Sequence, residues 1–557
     1  MKKIDINYLG YVNEVGLNTA KIVVTNLTNL VKLQVGRLIL INIGSSYVVG
    51  IVKKISFIET IIQEPYLEDN EECVANNEVT INTGAIETIL LGTIVGEEFK
   101  KHITSTPSVK DECFILEDET FKQIFTSEEL KPNQLTVGQY SSYGGNALLD
   151  GNKLFQRHCA ILGSSGSGKS WLVSMLCEKA SQLASSNIVI FDIHGEYASL
   201  DYAKQLIIPG PDEVNSSDPN NLFLPYWLLS STELISMFID RSEYSAINQI
   251  SIFQKLILEQ KRRYIKEIDP DSVLLNSLTI NSPVPFDIGI VIEKLKEINC
   301  QMISGAKSLK QGPHFGKFSK VISRISEKLK DTRYKFLFST DSNHYEMSTL
   351  EHVINQVLSI KDSKIKTINF SEVPSEILPT IIALIARLIF QVQLWTDRDK
   401  RQPVAIIADE CHLYLPANKS ASTERSIDAF EKIAKEGRKF ALVMIPVSQR
   451  PAEINDTVLA QMENIITLKI SNPKDQAVIS KLLPESFSGI LENLPILQVG
   501  EAFVLGNCTD IPARIKLDAP RCEPLSSTID FWSRWSKESD AVDFNEIVLN
   551  MRRQGKK

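Results

Sequence analysis

Short β-branched runs punctuated by glycine and asparagine dominate the first hundred residues. Tyr8–Val12, Thr19–Thr25, Leu38–Asn42 and Tyr47–Val52 predict a small β-barrel over residues 1–105. A polar, mixed stretch over 106–134 reads as a connector. Apolar strands then alternate with helical patterns over 135–226 and 343–519, which predicts an α/β fold with a parallel sheet and crossover helices. Ile188–Asp192, Ile365–Phe370, Val404–Asp409 and Phe440–Val447 are its expected buried strands. Helical periodicity takes over across 227–342, in Ser231–Phe238, Ala246–Lys266, Asp287–Ile298 and Phe315–Leu329, as in a helical insertion. Residues 520–557 carry Phe531, Trp532 and Trp535 among polar neighbours. They read as an extension that docks on its own core or on an adjacent subunit.

Composition narrows this picture. At 557 residues the chain exceeds one ordinary domain, and 43% hydrophobic with 23% charged residues is the balance of a soluble globular protein. A formal charge of −8 argues against an exterior coated in basic groups. Nucleic acid would then be held by a local strip or a pore. The eight cysteines form no C-x-x-C pair, so reduced thiols are expected rather than a zinc ribbon or disulfide framework. No signal peptide is visible. The most apolar stretch, Ile377–Trp395, contains Pro379, Arg387, Gln391 and Gln393, which favours a buried core helix over a membrane span. The expected location is cytoplasmic.

The strongest chemical signal is Gly163-Ser164-Ser165-Gly166-Ser167-Gly168-Lys169-Ser170, a G-x-x-x-x-G-K-S phosphate loop. It lies between the apolar strand His158–Leu162 and a helix opening at Trp171. Its glycines allow backbone N–H groups to turn toward the β- and γ-phosphates of a nucleotide such as ATP. Lys169 adds a point charge, the Ser170 hydroxyl can ligate Mg²⁺, and the helix N-terminus adds partial positive charge. Val404–Ala408 leads into Asp409 and Glu410. A carboxylate at a buried strand end can reach Mg²⁺, the role expected of Asp409, and the next can polarise the attacking water, the role expected of Glu410. Asp192 and Glu196, in Asp192-Ile-His-Gly-Glu-Tyr197, are expected in the same network at the carboxyl edge of the sheet. Gln449, at the tip of a neighbouring strand, is the candidate γ-phosphate sensor. Arg438, Arg450 and Arg157 are candidates for a transition-state arginine supplied from the next subunit.

Taken together, these motifs resemble the HerA family of hexameric ATPases, within the group that contains the FtsK-type DNA translocases. The matching residues are Arg157-His158, Gly163–Ser170, Phe191–Tyr197, Asp409-Glu410-Cys411-His412, Gly437–Lys439 and Ser448–Pro451. The D-x-H-G-E-Y hexapeptide, Asp192–Tyr197, is the most discriminating of them, and Cys411 departs from the family's usual alanine. The resemblance covers about residues 135–515, and the β-rich N-terminus looks like the family's small barrel. It implies a RecA-like P-loop core with a helical insertion, a homohexamer with ATP at subunit interfaces, and a central channel for duplex DNA. The separation of 240 positions between Lys169 and Asp409 independently calls for an insertion, because a bare core needs roughly half that in βαβ units. Candidate DNA contacts are Lys307, Lys310, Lys317, Lys320, Arg324 and Lys328, with Lys419 and Arg425 in a second loop.

Three functions compete. One is a DNA motor that works with a nuclease partner, as in double-strand-break resection with a NurA-like nuclease. Another is an ATP-dependent ring in antiphage defence that switches on a separate effector, a sirtuin-like NAD-cleaving enzyme or a nuclease, contacting the N-terminal barrel. A generic P-loop kinase or transporter ATPase leaves Asp192–Tyr197 unexplained. The Asn/Ile/Lys-rich composition and the Asp530–Trp535 segment favour the defence ring, on resemblance alone.

Overall fold

The computed structural model describes residues 6–25, 27–31, 33–66, 75–96, 98–126, 130–211, 218–304, 309–338, 342–483, 487, 492–526, 529–537 and 544–553. The chain divides into two compact units. One comprises 1–175, 448–452 and 462–519, and the other 176–447, 453–461 and 520–557.

In the first unit, β1 (Ile6–Val15), β2 (Thr19–Val24), β3 (Leu38–Asn42), β4 (Tyr47–Tyr66), β5 (Ala75–Val95) and β7 (Glu112–Leu116) pair in the ring β1-β2-β5-β4-β3-β7, with β6 (Glu98–Lys100) on β5. The ring closes because β7 pairs with both β1 and β3, and β2 with both β1 and β5. Strict alternation fills it: Ala20, Ile22 and Val24 of β2 point inward to meet Leu9, Ile39 and Ile115. Gly10 sits at an irregularity in β1 where a Cβ would come 1.9 Å from the Val23 carbonyl oxygen, so only glycine permits this approach. The closing strand β7 lies in the stretch read as a connector. Five residues among polar neighbours carry little periodicity, and their pairing partners are far away in sequence. β4 and β5 stay paired to Tyr66↔Ala75, well past Gly84 where β2 stops, and so run on as a two-stranded ribbon.

The same unit holds a second sheet in the order β10-β18-β19-β20-β8-β9, built from β8 (Gln134–Tyr140), β9 (Asn146–Asp150), β10 (Cys159–Leu162), β18 (Asn464–Thr467), β19 (Glu501–Gly506) and β20 (Ala513–Leu517). Only β10 and β18 are parallel. Tyr143 pins the barrel to this sheet. Its ring stacks on Phe121 at 4.0 Å, Arg37 lies 4.8 Å above it, and its hydroxyl accepts the Leu38 N–H.

The second unit is built on a fully parallel sheet, β12-β15-β11-β16-β17, from β11 (Ile188–Asp192), β12 (Ala203–Ile207), β15 (Ile365–Asn369), β16 (Val404–Ala408) and β17 (Leu442–Ser448). Every residue of β11 and β16 is buried, which is why these strands read as continuous apolar runs. The helix Leu378–Trp395 is the one described helix long and apolar enough to cross a membrane, and 67% of it is buried inside the protein. Its single arginine has a partner. Arg387 donates to Glu233 at 3.0 and 2.8 Å and to the Leu228 carbonyl, joining the helical insertion to the core helix. Glu233 also accepts the Ser230 N–H at 2.7 Å in a capping box that starts Ser231–Phe238. The insertion continues through helices Ala246–Ile268, Ile288–Cys300 and Ser319–Lys330, with a hairpin of β13 (Met302–Ser304) and β14 (Leu309–Gln311) between the last two. The fold class is therefore α/β with an N-terminal barrel, as the sequence pattern implies.

Candidate functional site

The phosphate loop connects β10 to the helix Lys169–Ser181. Gly166 (φ 70°) and Gly168 (φ 106°) occupy left-handed backbone that disfavours side chains. A Cβ on Gly163 would lie 2.6 Å from Ser167 Oγ, so the loop's first glycine keeps its two ends close. Segments far downstream support it. Gly163 N–H donates to the Ser448 carbonyl at 3.2 Å, Ser164 N–H to the Lys469 carbonyl at 2.8 Å, and Gly500 N–H to the Ser167 carbonyl at 3.2 Å. Leu172 N–H bonds to the Gly168 carbonyl, so the N–H groups of Lys169, Ser170 and Trp171 fall in the first helical turn, where no intrahelical acceptor exists. Ser165 and Gly166 are exposed at the tip, whereas Ser167 and Lys169 are buried. Lys169 Nζ curls back to the Ser164 carbonyl at 3.2 Å. Ser167 Oγ is buried with no hydrogen-bond partner among the described residues, an orphaned hydroxyl inside the loop.

Gln449 and Arg450 belong to this first unit. Arg450 is exposed, and its N–H donates to Ser448 Oγ at 3.0 Å, while the neighbouring Ala452 N–H donates to Asp475. Arg157 forms an ion pair with Glu463 of its own chain, and Glu463 also accepts from Asn507 at 2.9 Å.

The acidic residues lie in the second unit, at the carboxyl ends of β11 and β16. Asp192 is buried, and its carboxylate accepts three backbone N–H groups, from Gly195 at 2.8 Å, Glu196 at 3.0 Å and Tyr197 at 3.0 Å. Burial raises its pKa and these bonds oppose that rise. Asp192 thus shapes the turn that presents Glu196. Gly195 (φ 75°) makes the reversal possible, which explains the glycine in this motif. Asp409 is buried, and its pKa is pushed well above the carboxylate range by burial and by the charges of Glu410, Glu196 and Asp192. Tyr414, invisible to motif reading, donates its hydroxyl to the Asp409 carbonyl at 3.0 Å and anchors the strand end. Glu410 itself adopts left-handed backbone (φ 42°, ψ 41°). Arg438 is exposed on the turn Gly437–Phe440 of this unit.

The basic candidates differ in how far their charge is already neutralised. Lys320 pairs with Glu243 at 3.4 Å, and Arg324 with Glu243 and Asp240. Lys419 and Arg425 both bind Asp428, each at 3.3 Å. Lys328 reaches the Tyr334 hydroxyl at 3.0 Å. Lys310 and Lys317 are exposed with no carboxylate in ion-pair range among the described residues. Lys307 lies outside the described residues. The C-terminal extension docks on its own chain at its start: Arg521 pairs with Asp201 at 2.8 Å, Ser199 Oγ donates to the Glu523 carbonyl at 2.6 Å, and Leu525 N–H donates to the Glu196 carbonyl at 2.7 Å. Beyond it, Phe531, Trp532 and Trp535 are exposed.

The family model described as "Helicase HerA, central domain" matches residues 135–389, spanning the phosphate loop, Asp192–Tyr197 and the insertion. Over this central region the chain is similar to the HerA family. The DNA double-strand break repair helicase HerA of Saccharolobus solfataricus is 27% identical over 435 residues, 76% of each chain. The protein of that name from Sulfurisphaera tokodaii is 27% identical over 402 residues, 71% of each. A probable helicase of Methanocaldococcus jannaschii is 25% identical over 406 residues, covering 72% of this chain and 69% of that one. Among solved structures, VirB4 of Thermoanaerobacter pseudethanolicus aligns with a TM-score of 0.46 and 14% identity, over 71% of this chain and 100% of that one, a likeness too weak to inform function. Gly500 and Lys469 support these motifs yet carry no local signal, because they act through backbone groups from hundreds of residues away; Tyr414 lies close to Asp409 in sequence but acts through a hydroxyl that no motif specifies.

Proposed function

We propose that this protein is a HerA-type ATPase that works as a ring motor on DNA. The observation that carries the reading is the built phosphate loop: two left-handed glycines, a buried Lys169, an orphaned Ser167 hydroxyl and a helix N-terminus at one point. ATP fits this cradle. Mg²⁺ suits the charge of the acidic residues, since the buried Asp409 carboxylate feels the negative charges of Glu410, Glu196 and Asp192, although no three His, Cys, Asp or Glu side chains among the described residues are arranged to hold a metal by themselves. Ser170 and Asp409 would hold the ion, which when bound neutralises phosphate charge in the transition state. Lys169 and the loop N–H groups hold the phosphates. Glu410 takes the proton from the attacking water, and Glu196 joins this network on the turn shaped by Asp192. Gln449 senses the γ-phosphate. Arg438, Arg450 and Arg157 are the candidates for an arginine that acts in a neighbouring subunit; Arg438 and Arg450 are exposed, and Arg157 pairs with Glu463 of its own chain.

The names of the curated relatives, DNA double-strand break repair helicases, favour double-strand-break repair as the setting; a nuclease would then be the separate partner. The exposed aromatic segment Asp530–Trp535 favours the other reading, an antiphage ring that docks an effector. Lys169→Ala and Glu410→Ala test the catalytic assignment: each should abolish ATP hydrolysis, and turnover retained in either overturns it. Light scattering with ATP and Mg²⁺ tests the ring, and a monomer would rule out the trans arginine. Copurification of the native complex separates the two settings by the partner's mass.

A further inference from the structure

We propose that His412 is a positioning residue that holds the Glu410 carboxylate in its working orientation. The inference rests on the ATPase reading above and names a residue to which no role has been given. A glutamate at a strand end has three side-chain torsions, and a general base displaced by about 1 Å loses on the order of a hundredfold in rate. Something must hold it.

The local chain does so by a specific route. Glu410 leaves β16 in left-handed backbone (φ 42°, ψ 41°), a conformation unfavourable for a non-glycine residue, and such strain persists only where surrounding contacts impose it. Cys411–Leu413 then forms a tight 3₁₀ turn, closed by Leu413 N–H on the Glu410 carbonyl at 3.0 Å and Leu415 N–H on the Cys411 carbonyl at 2.8 Å. Cys411 is fully buried beneath it, and the Tyr414 hydroxyl ties the turn to the Asp409 carbonyl. The result brings His412 Nδ1 to 3.2 Å from Glu410 Oε2, with the two side chains only 7% and 12% exposed. A buried imidazole on a rigid turn therefore restricts where that carboxylate can go. The small Cys411 lets the turn pack down, and the left-handed Glu410 points its side chain toward the ring two residues on.

The test is steady-state hydrolysis by the full-length chain. His412→Ala should lower kcat by on the order of tenfold or more while KM for ATP moves by less than about twofold, because phosphate binding rests on the separate loop. His412→Asn, whose amide N–H can approach the same oxygen, should recover part of the loss. In a Glu410→Gln background, His412→Ala should add nothing, since the carboxylate it positions is gone. Binding of a fluorescent ATP analogue verifies that each variant is folded. Unchanged kcat in His412→Ala, equal losses in both backgrounds, or an Asn variant no better than Ala would each overturn the positioning role while leaving Glu410 as the base. Full turnover in Glu410→Gln would instead remove the base assignment and the positioning role with it.

Discussion

Leu525 donates its backbone N–H to the carbonyl of Glu196 at 2.7 Å, so the C-terminal extension is bonded to the turn that carries one of the candidate ATPase carboxylates. Glu196 receives support from both sides, since its own N–H is held by Asp192. Removing residues 520–557 should raise amide exchange over residues 195–201 by about tenfold, as expected when a local hydrogen-bonded unit loses a partner. ATP-analogue affinity should stay unchanged. Exchange equal to that of the intact chain would show that the extension does not brace this turn.

Asp192 is a test of how much a shaped turn is worth. Asparagine keeps the side-chain outline but puts an NH₂ where Oδ2 accepts the Tyr197 N–H. Asp192→Asn should cost about 1–3 kcal/mol in denaturant unfolding, the range for leaving a buried donor unsatisfied. A loss within error of zero would mean that the turn is held by Gly195 and packing alone.

The pair Glu233–Arg387 should couple the insertion to the core. Glu233 is 4% exposed and its partner 21%, so deleting one charge strands the other away from water. Arg387→Met should destabilise by about 3–5 kcal/mol, and the double variant with Glu233→Leu by clearly less. Strictly additive losses in a double-mutant cycle would contradict the pairing.

Lys366 supplies a pH signature. It is buried on β15 with its ammonium 2.8 Å from Asn187 Oδ1, and burial lowers its pKa to about 8 from 10.5. Below pH 8 both folded and unfolded chains carry the proton. Between about 8 and 10.5 the unfolded chain binds more of it, so this group's contribution to stability rises with pH across that window. The stability of the native chain minus that of Lys366→Met should therefore climb from pH 8 to pH 10 in urea titrations. A flat difference would show that the lysine is solvated in the folded state.

The basic residues should separate by pairing. Lys310→Ala and Lys317→Ala should each weaken duplex binding and reduce the salt slope by about 1, because their charge is available to phosphate. Lys419→Ala and Arg425→Ala should do less, with Asp428 already neutralising them. Equal slopes for the four variants would remove the insertion from the DNA path.

Much of this protein is local and was readable as such. The phosphate loop, the strand ending in Asp409-Glu410 and the turn Asp192–Tyr197 each need particular residues at fixed spacing, because the glycine torsions, helix N-terminus and buried strand ends are set by their immediate neighbours. The barrel's alternation and the buried parallel strands are legible for the same reason. The partners of those motifs are not. Ser164 leans on Lys469, Ser167 on Gly500 and Glu196 on Leu525, all through backbone groups that every residue possesses. Strand β7 closes the barrel only because β1 and β3 present free edges to it.

Charge behaves similarly. A run of lysines and arginines reads as a DNA-binding face, yet carboxylates of the loop between helices Ser231–Phe238 and Ala246–Ile268 occupy Lys320 and Arg324, a pairing no spacing rule encodes. The sequence alone determined the chemistry of the HerA-type nucleotide site, since phosphate-binding geometry is a property of a few consecutive residues. The tertiary structure decided which charges remain available, which turns are braced and how Glu410 is aimed. Those depend on distances between atoms far apart along the chain, and only folding sets them.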